Sequence, residues 1–205
     1  MKPGVQKVRV LIVDDSALAR RAIGDALSRD PELEVVGYAC DPYVARDQIL
    51  SLQPDVITLD LEMPRMDGLA FLKILQEHHP VPVVVVSSLT PAGSAKAVEA
   101  LVAGALDVIA KPDGGRSLSQ IARELALHVK AAGRSRRRPG YAPAAIEAAK
   151  PFPPPFEPGQ FSPRRIIVLG ASTGGVEALR YLLPRLPDGL PPIVVVQHIP
   201  APFSR

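Results

Sequence analysis

The sequence of 205 residues predicts an α/β protein whose first domain is a doubly wound, five-stranded parallel sheet. Three observations support this fold class. Short continuous apolar runs, typical of strands buried on both faces, occur along residues 1–130. They alternate with segments in which apolar residues recur at helical spacing, and five such strand–helix units imply helices on both faces of the sheet. Apolar residues make up 47% of the chain, enough to form a packed core.

Each predicted strand is a short apolar run, and each predicted helix is an apolar stripe at a spacing of three or four residues. The strands are expected at residues 8–13, 35–39, 56–59, 81–86 and 106–110. The helical stripes lie within residues 18–27, 44–52, 69–75, 98–102 and 118–129. Residues 117–120, Ser-Leu-Ser-Gln, resemble a capping box for the fifth helix, because such side chains cover free backbone N–H groups.

Residues 131–163 interrupt this alternation and are predicted to form an extended linker between the domain at 1–130 and a second domain. They contain eight prolines, which lack an N–H and disfavour helix in the preceding residue. The second α/β domain is expected from residue 164 to 205. A strand at 166–169, a glycine-rich turn at 170–175, a helix at 176–183 and a strand at 191–197 form its first βαβ unit.

Composition excludes several classes of protein. The single cysteine, Cys40, excludes an internal disulfide framework and favours a reduced, cytoplasmic compartment. No apolar run approaches the ~20 residues of a membrane span, so no membrane insertion is expected. The net charge is +3, but residues 1–130 hold 14 Lys and Arg against 17 Asp and Glu. The basic surplus lies in the linker and the last segment, where we expect a solvated tether and no nucleic-acid contact.

Polar side chains end the predicted strands of the first domain. Asp14 and Asp15 end the first strand, Asp60 the third, Ser87 the fourth and Lys111 the fifth. Ligand sites in open α/β sheets lie beyond the carboxyl ends of the strands. Clustered carboxylates can bind a hard cation such as Mg²⁺, and a carboxylate beside it can attack phosphorus to form an acyl phosphate. The ammonium group of Lys111 would offset the charge of the phosphoryl group, and the hydroxyl of Ser87 could hydrogen-bond the new phosphoryl oxygens.

Motifs around these residues point to a known family. The stretches Val10-Leu-Ile-Val-Asp-Asp15, Leu59-Asp60-Leu-Glu-Met-Pro64 with Asp67-Gly68, and Lys111-Pro112 resemble the receiver domain of two-component response regulators, a flavodoxin-like fold. The resemblance covers about residues 8–130. It implies phosphorylation of one aspartate with the help of Mg²⁺.

The resemblance also implies a role for each residue of the predicted site. Val108 takes a position that is often aromatic in receivers, so an aromatic switch is not carried over to this chain. The implied phosphorylated residue is Asp60, the implied metal ligands are Asp14, Asp15, Asp60 and the backbone carbonyl of Glu62, and the implied phosphoryl-binding or switch residues are Ser87 and Lys111.

The glycine-rich turn of the second domain has two interpretations. Gly170-Ala-Ser-Thr-Gly-Gly175 fits G-x-S-x-G, in which a sharp turn exposes a serine nucleophile. His198 follows the next strand, so adjacent strands would bring Ser172 and His198 within reach as nucleophile and base. A dinucleotide-binding turn is the alternative, because a glycine-rich strand–turn–helix also cradles phosphates. The turn lacks the full G-x-G-x-x-G spacing.

The whole arrangement closely resembles the chemotaxis protein-glutamate methylesterases of the CheB family. The resemblance rests on the receiver motifs, the proline-rich linker, Gly-Ala-Ser-Thr-Gly-Gly, and Gln197-His-Ile-Pro200. It implies that Ser172 is the nucleophile and His198 the general base, with the triad aspartate beyond Arg205. The implied substrates are methylated glutamates and glutamines of methyl-accepting chemoreceptors, and the implied phosphodonor is a chemotaxis histidine kinase.

The resemblance further implies that an unphosphorylated receiver covers the esterase site. Because the 205 residues hold only the start of the esterase domain, this chain is expected to be phosphorylatable but inactive as an esterase. One alternative is a receiver that acts as a phosphorylation-dependent binding module without enzyme output. Another couples the receiver to a nucleotide-binding domain.

Overall fold

The computed structural model describes residues 6–64, 66–87, 91–111, 118–136 and 165–198. Within these ranges the side chains of residues 91–94, 118–121 and 136 are not described. The side chains of the predicted capping box at 117–120 are therefore not described. Pro112 of the Lys-Pro motif and residues 137–163 of the predicted linker lie outside the described residues.

The first domain is the predicted parallel sheet with helices on both faces. Among the described residues its strands lie in the order β2-β1-β3-β4-β5, and all neighbouring pairs are parallel. The strands are β1 (Val8–Val13), β2 (Leu33–Ala39), β3 (Val56–Leu59), β4 (Val83–Ser87) and β5 (Asp107–Ala110). The helices are α1 (Ala17–Leu27), α2 (Pro42–Leu52), α3 (Gly68–His78), α4 (Pro91–Val102) and α5 (Leu118–Arg136).

Successive residues of each central strand face two separate hydrophobic cores. In β1, Leu11 and Val13 pack on the side of α2, α3 and α4, whereas Val10 and Ile12 pack on the side of α1 and α5. Because both faces are buried, the strands are continuous apolar runs and not alternating ones. This burial fixes the register of the strands and brings their carboxyl ends to one edge of the sheet.

Three helices begin where a polar side chain caps the free N–H groups of the first turn. Ser16 caps α1, Asp41 caps α2 and Asp67 caps α3, and each accepts a hydrogen bond from a backbone N–H two or three residues later. These caps fix the helix starts immediately after the strand ends. The loops at the carboxyl edge are therefore short.

The predicted and observed strands agree within two residues, and prolines account for two of the differences. The fourth strand was expected from residue 81 but begins at Val83, directly after Pro82. The last strand was expected from residue 191 but begins at Ile193, directly after Pro192. Proline has no N–H to donate to a strand ladder, so regular pairing starts behind it.

Helix α5 is longer than the sequence pattern predicted, which corrects the expected start of the linker at residue 131. The helix continues to residue 136. Ala132 is buried against the core on the α1 side. The ammonium of Lys130 lies 2.6 Å from Asp30 Oδ2 and 3.0 Å from Glu32 Oε2, in the loop before β2. Packing and ion pairs thus hold the last turns against the domain.

The second unit contains the predicted strand–helix–strand order. It consists of β6 (Ile167–Ala171), α6 (Gly175–Leu182), a 3₁₀ turn (Leu183–Arg185) and β7 (Ile193–Gln197), and its two strands pair in parallel. Val168 is 60% exposed and Val196 is 59% exposed, so the described residues leave this small sheet largely uncovered. None of the described helices is long and apolar enough to cross a membrane.

Candidate functional site

The carboxyl edge of the five-stranded sheet gathers the side chains that the sequence placed at strand ends. Asp60 follows β3, and its N–H donates to Val13 O at 2.9 Å. Lys111 follows β5, and its N–H donates to Ser87 O at 2.7 Å. Asp14 follows β1. The sheet ladder therefore continues one residue past the strands and holds these side chains side by side.

Lys111 binds two buried carboxylates at this edge. Its Nζ lies 2.8 Å from Asp14 Oδ2 and 2.8 Å from Asp60 Oδ2. Asp14 is 1% exposed and Asp60 is 2% exposed. Burial raises the pKa of Asp60, and the neighbouring ammonium offsets only part of this effect. Burial alone would lower the pKa of Lys111, but its two carboxylate partners outweigh burial and raise it, so the lysine stays charged.

Three carboxylates at this edge are close enough to share one cation. Asp14, Asp15 and Asp60 each offer a carboxylate oxygen, and these oxygens lie within 4.8 Å of one another. Asp15 is exposed, so the cluster opens to solvent on one side. The N–H of Glu62 donates to Asp60 Oδ1 at 3.3 Å, which brings the Glu62 main chain beside the cluster. This all-oxygen donor set fits a hard divalent cation such as Mg²⁺.

The hydroxyl of Ser87 has an unsatisfied hydrogen-bonding capacity. Ser87 is fully buried, and its Oγ has no hydrogen-bond partner among the described atoms. Leaving a buried hydroxyl unpaired costs about 1–3 kcal/mol. Ser87 ends β4 and pairs with Ala110 of β5, the residue before Lys111. A ligand with acceptor oxygens at this edge would satisfy the hydroxyl.

The loop after Asp60 is held against the start of α3 and against α4. A Cβ added at Gly68 would lie 2.1 Å from Asp60 O, so only glycine allows this close approach. Asp67, which caps α3, forms an ion pair with Lys96 Nζ on α4 at 2.7 Å. Sequence motifs did not indicate this pair, because Asp67 caps α3 whereas Lys96 lies on α4, 29 positions later in the chain. It joins the loop beside the carboxylate cluster to α4.

The second unit places Ser172 and His198 at the same edge of the β6–β7 sheet. Ser172 follows β6 and His198 follows β7, and the His198 N–H donates to Ala171 O at 2.8 Å. The Gly175 N–H donates to Ser172 O at 2.6 Å and closes the turn. Gly174 has a φ of 73°, in the left-handed region that favours glycine. Both Ser172 and His198 are exposed.

A third cluster, which the sequence pattern did not predict, lies at the amino end of β5. Asp107 Oδ2 lies 2.5 Å from His128 Nδ1 and 2.5 Å from Thr173 Oγ1. Asp107 is 7% exposed and His128 is 8% exposed. In the sequence, Asp107 is a charged residue at the start of a buried strand, and His128 lies beside the apolar residues of α5 that face the core. Neither signal indicates that the two side chains meet.

The Asp107–His128 pair should make stability depend on pH. The hydrogen bond from Asp107 raises the pKa of His128 against the opposing effect of burial, and the charges of Asp107 and Glu124 add to the increase. A raised folded-state pKa contributes stability fully below the unfolded pKa of about 6.5. That stability is lost as the pH rises through the folded pKa.

We therefore expect His128→Leu to lower the free energy of unfolding by about 3 kcal/mol at pH 6, because it leaves Asp107 buried without its cation. The difference from the wild type should shrink toward pH 9. Urea unfolding of both proteins across this pH range measures it, with His78→Leu at an exposed histidine of α3 as the matched control. A difference that stays constant from pH 6 to pH 9 contradicts a charged pair.

Comparison with known proteins finds matches to two families along the chain. A family described as the response regulator receiver domain matches residues 10–123. A family described as CheB methylesterase matches residues 167–205. The first match covers more than half of the chain and contains the carboxylate cluster. The second contains the turn at Ser172.

A similar protein aligns with both matched regions of the chain. The chain is 48% identical over 207 aligned residues to protein-glutamate methylesterase/protein-glutamine glutaminase 4 of Anaeromyxobacter dehalogenans, covering 98% of this chain and 55% of that protein. The chain therefore spans little more than half the length of this relative.

Two solved structures match the first domain. The response regulator domain of Thermotoga maritima CheB is 42% identical, with a TM-score of 0.57 over 63% of this chain and 98% of that one. A chain in the crystal structure of the P1 domain of CheA3 in complex with CheY6 from R. sphaeroides is 33% identical, with a TM-score of 0.52 over 62% of this chain and 97% of that one.

Proposed function

This chain belongs to the response regulators of the CheB methylesterase family, and from that premise we propose that it is the phosphorylation-controlled part of a protein-glutamate methylesterase. One observation carries the proposal: Lys111 binds Asp14 and Asp60 at an edge where three carboxylates converge. To accept a phosphoryl group, a site needs positive charge, a nucleophilic carboxylate and access for the phosphodonor. Lys111 supplies the charge, Asp60 the carboxylate, and the exposed side at Asp15 the access.

In the proposed reaction, a carboxylate oxygen of Asp60 attacks the phosphorus of a phosphodonor. The P–O or P–N bond to the donor breaks as the new P–O bond forms, and the donor leaves with the bonding electron pair. Mg²⁺ bound by Asp14, Asp15, Asp60 and the carbonyl of Glu62 would supply positive charge against carboxylate repulsion and phosphoryl charge. Asp60 is the proposed acceptor because it directly follows β3, the central strand of the sheet, and its carboxylate contacts Lys111.

Lys111 and Ser87 are the proposed partners of the new phosphoryl group. Lys111 is already charged and held at 2.8 Å from the acceptor carboxylate, so it can pair with phosphoryl oxygens without a large movement. The buried, unpartnered hydroxyl of Ser87 can donate to one of those oxygens. Ser87 ends β4, and Lys111 directly follows the neighbouring strand β5. Bonds from both side chains to the phosphoryl group would therefore pull β4 and β5 toward Asp60.

The proposed output is ester hydrolysis by a serine nucleophile. Ser172 Oγ attacks the carbonyl of a glutamate methyl ester, His198 accepts the serine proton, methanol leaves, and water then releases the acyl group. Deamidation of glutamine would follow the same course with ammonia as the leaving group. The name of the Anaeromyxobacter relative supports both reactions. Methyl-accepting chemoreceptors are the proposed substrates, a chemotaxis histidine kinase the proposed phosphodonor, and the cytoplasm the proposed compartment.

The two alternatives from the sequence are not favoured. A receiver without enzyme output does not account for the CheB methylesterase match over residues 167–205. A nucleotide-binding second domain does not account for a relative named as a methylesterase that aligns with 98% of the chain.

The phosphoryl transfer is tested by uptake from a small phosphodonor. We expect the purified chain to gain one phosphoryl group in the presence of Mg²⁺ and acetyl phosphate, and to gain none when the divalent cation is chelated. The reason is that the clustered carboxylates repel an incoming phosphoryl group until their charge is offset. Intact-protein mass spectrometry measures the uptake, and equal uptake with and without chelator would contradict the proposed metal requirement.

A further inference from the structure

The loop between β1 and α1 carries two of the three clustered carboxylates, and it holds them in different ways. Asp14 is fixed through its side chain: its Oδ1 accepts the Ser16 N–H at 2.9 Å, and its Oδ2 lies 2.8 Å from Lys111 Nζ. Asp15 is exposed, and its carboxylate has no hydrogen-bond or ion-pair partner among the described residues. The direction of the Asp15 carboxylate therefore depends on the main chain of the loop.

Arg20 binds that main chain. Its Nη1 donates to Asp14 O at 2.7 Å and to Asp15 O at 2.9 Å. Hydrogen bonds from a charged donor are stronger than those between neutral groups. The two carbonyls belong to the peptide groups on either side of the Asp15 Cα, so binding both of them restricts the two backbone dihedrals of Asp15. The direction of its side chain is restricted with them.

Arg20 lies in the first turn of α1, where its side chain can reach this loop. It is four residues after the cap Ser16, and its N–H donates to Ser16 O at 3.0 Å. Side chains on a helix lean toward the N-terminus, so an arginine at this position extends back over the loop. The helix dipole disfavours a positive charge in the first turn. The bonds to the two carbonyls offset this unfavourable placement.

The charge and the hydrogen bonds of Arg20 should affect cation binding in opposite directions. A guanidinium that touches the main chain of two expected ligands repels an incoming cation. Fixing the loop has the reverse effect, because carboxylates that are already oriented lose less conformational freedom when they bind. Removing the side chain therefore strengthens cation binding if the charge dominates, and weakens it if the hydrogen bonds dominate.

We propose that Arg20 is a positioning residue for the cation: its bonds to Asp14 O and Asp15 O hold the Asp15 carboxylate beside those of Asp14 and Asp60. The inference rests on the proposed function, which requires a divalent cation at this cluster. Arg20 acts through the loop and needs no contact with the cation or with the phosphodonor.

A Mg²⁺ titration of the 205-residue chain tests this role without any phosphodonor. The backbone amide shift of Glu62, measured by NMR, gives the Kd. We expect Arg20→Met to raise the Kd about 10-fold, as is typical when a group that orients metal ligands is removed. Methionine keeps an apolar stem but has no N–H donor. Arg20→Lys keeps the charge and three N–H donors, and its Kd should stay within about 3-fold of the wild type.

The matched control is Arg21→Met on the same helix. Arg21 is exposed, and its side chain makes no hydrogen bond or ion pair with the described residues. The substitution removes the same charge one position away and should not raise the Kd. An unchanged or lower Kd in Arg20→Met would overturn the positioning role, because the charge of Arg20 would then dominate. A Kd in Arg20→Lys as high as in Arg20→Met would also overturn it.

A second measurement needs no metal. The Ser16 amide, which donates to Asp14 Oδ1, reports the conformation of the loop through its hydrogen exchange. We expect its protection factor to fall about 10-fold in Arg20→Met and to stay unchanged in Arg21→Met. Wild-type protection in Arg20→Met would overturn the inference. A wild-type chain that binds no Mg²⁺ contradicts the proposed function, and this comparison still decides whether Arg20 holds the loop.

The wild-type chain decides the matter if Arg20→Met does not give the dispersed amide spectrum of a folded protein. NMR of the arginine side chains measures rotation of each guanidinium about its Nε–Cζ bond. Rotation should be slower at Arg20 than at the exposed Arg21, because Nη1 of Arg20 is bound to two carbonyls. Equal rates at the two residues would overturn the inference.

Discussion

Asp60→Asn is expected to reduce phosphoryl uptake from acetyl phosphate to the background level. Asparagine retains the size and the planar shape of the side chain, but its amide is not a nucleophile that can form an acyl phosphate. Because Asp60 is buried beside Lys111, the substitution also removes one of the two carboxylates that bind the ammonium. The fold should persist, since Asp14 still pairs with Lys111. Intact-protein mass spectrometry measures the uptake.

Asp47→Asn on α2 is the matched control, because Asp47 is exposed and lies outside the carboxylate cluster. It should take up phosphoryl groups as the wild type does. Wild-type uptake by Asp60→Asn, with the substitution verified in the same spectrum, would show that another side chain is the acceptor.

The 205-residue chain is expected to release methanol from methylated chemoreceptors at least about 10⁴-fold more slowly than a full-length relative. Among the described residues no carboxylate pairs with the His198 side chain, and disturbing the aspartate of a Ser-His-Asp triad lowers kcat by about 10⁴. Ser172 and His198 also stand on a two-stranded sheet whose valines are exposed. A sheet of two strands is marginally stable by itself and holds side chains poorly in register.

The control for this prediction is Ser172→Ala in the same chain. The two proteins should give the same background rate of methanol release. A rate that depends on Ser172 would show that the described strand–helix–strand unit is catalytically competent without a third triad member.

The edge of the sheet that carries Asp14, Asp60 and Lys111 could be predicted from the sequence because each of these positions depends only on the strand before it. Asp14, Asp60 and Lys111 each follow a run of apolar residues, and parallel strands that are buried on both faces bring such positions to one edge. The same reasoning placed Ser172 and His198 at the ends of β6 and β7. Residue type, strand end and sheet topology were sufficient, and no long-range contact had to be known.

Other features depend on contacts between distant parts of the chain. The prolines beyond residue 138 suggested a linker from 131, but Lys130 pairs with Asp30 and Glu32, about one hundred residues earlier, and the helix continues. The bond between Thr173 and Asp107 joins residues 66 positions apart. No local pattern of polarity or periodicity specifies such partners, because they are selected by packing.

The most direct test of the account is to identify the residue that carries the phosphoryl group. An acyl phosphate is reduced by borohydride, which converts the phosphorylated aspartate to homoserine and leaves free carboxylates unchanged. The chain should be treated with Mg²⁺ and acetyl phosphate, reduced, digested and sequenced by mass spectrometry. If Asp60 is the acceptor, homoserine is expected at position 60 and aspartate at positions 14 and 15. Homoserine at position 14 or 15, or none at position 60 in a sample that gained a phosphoryl group, would contradict it.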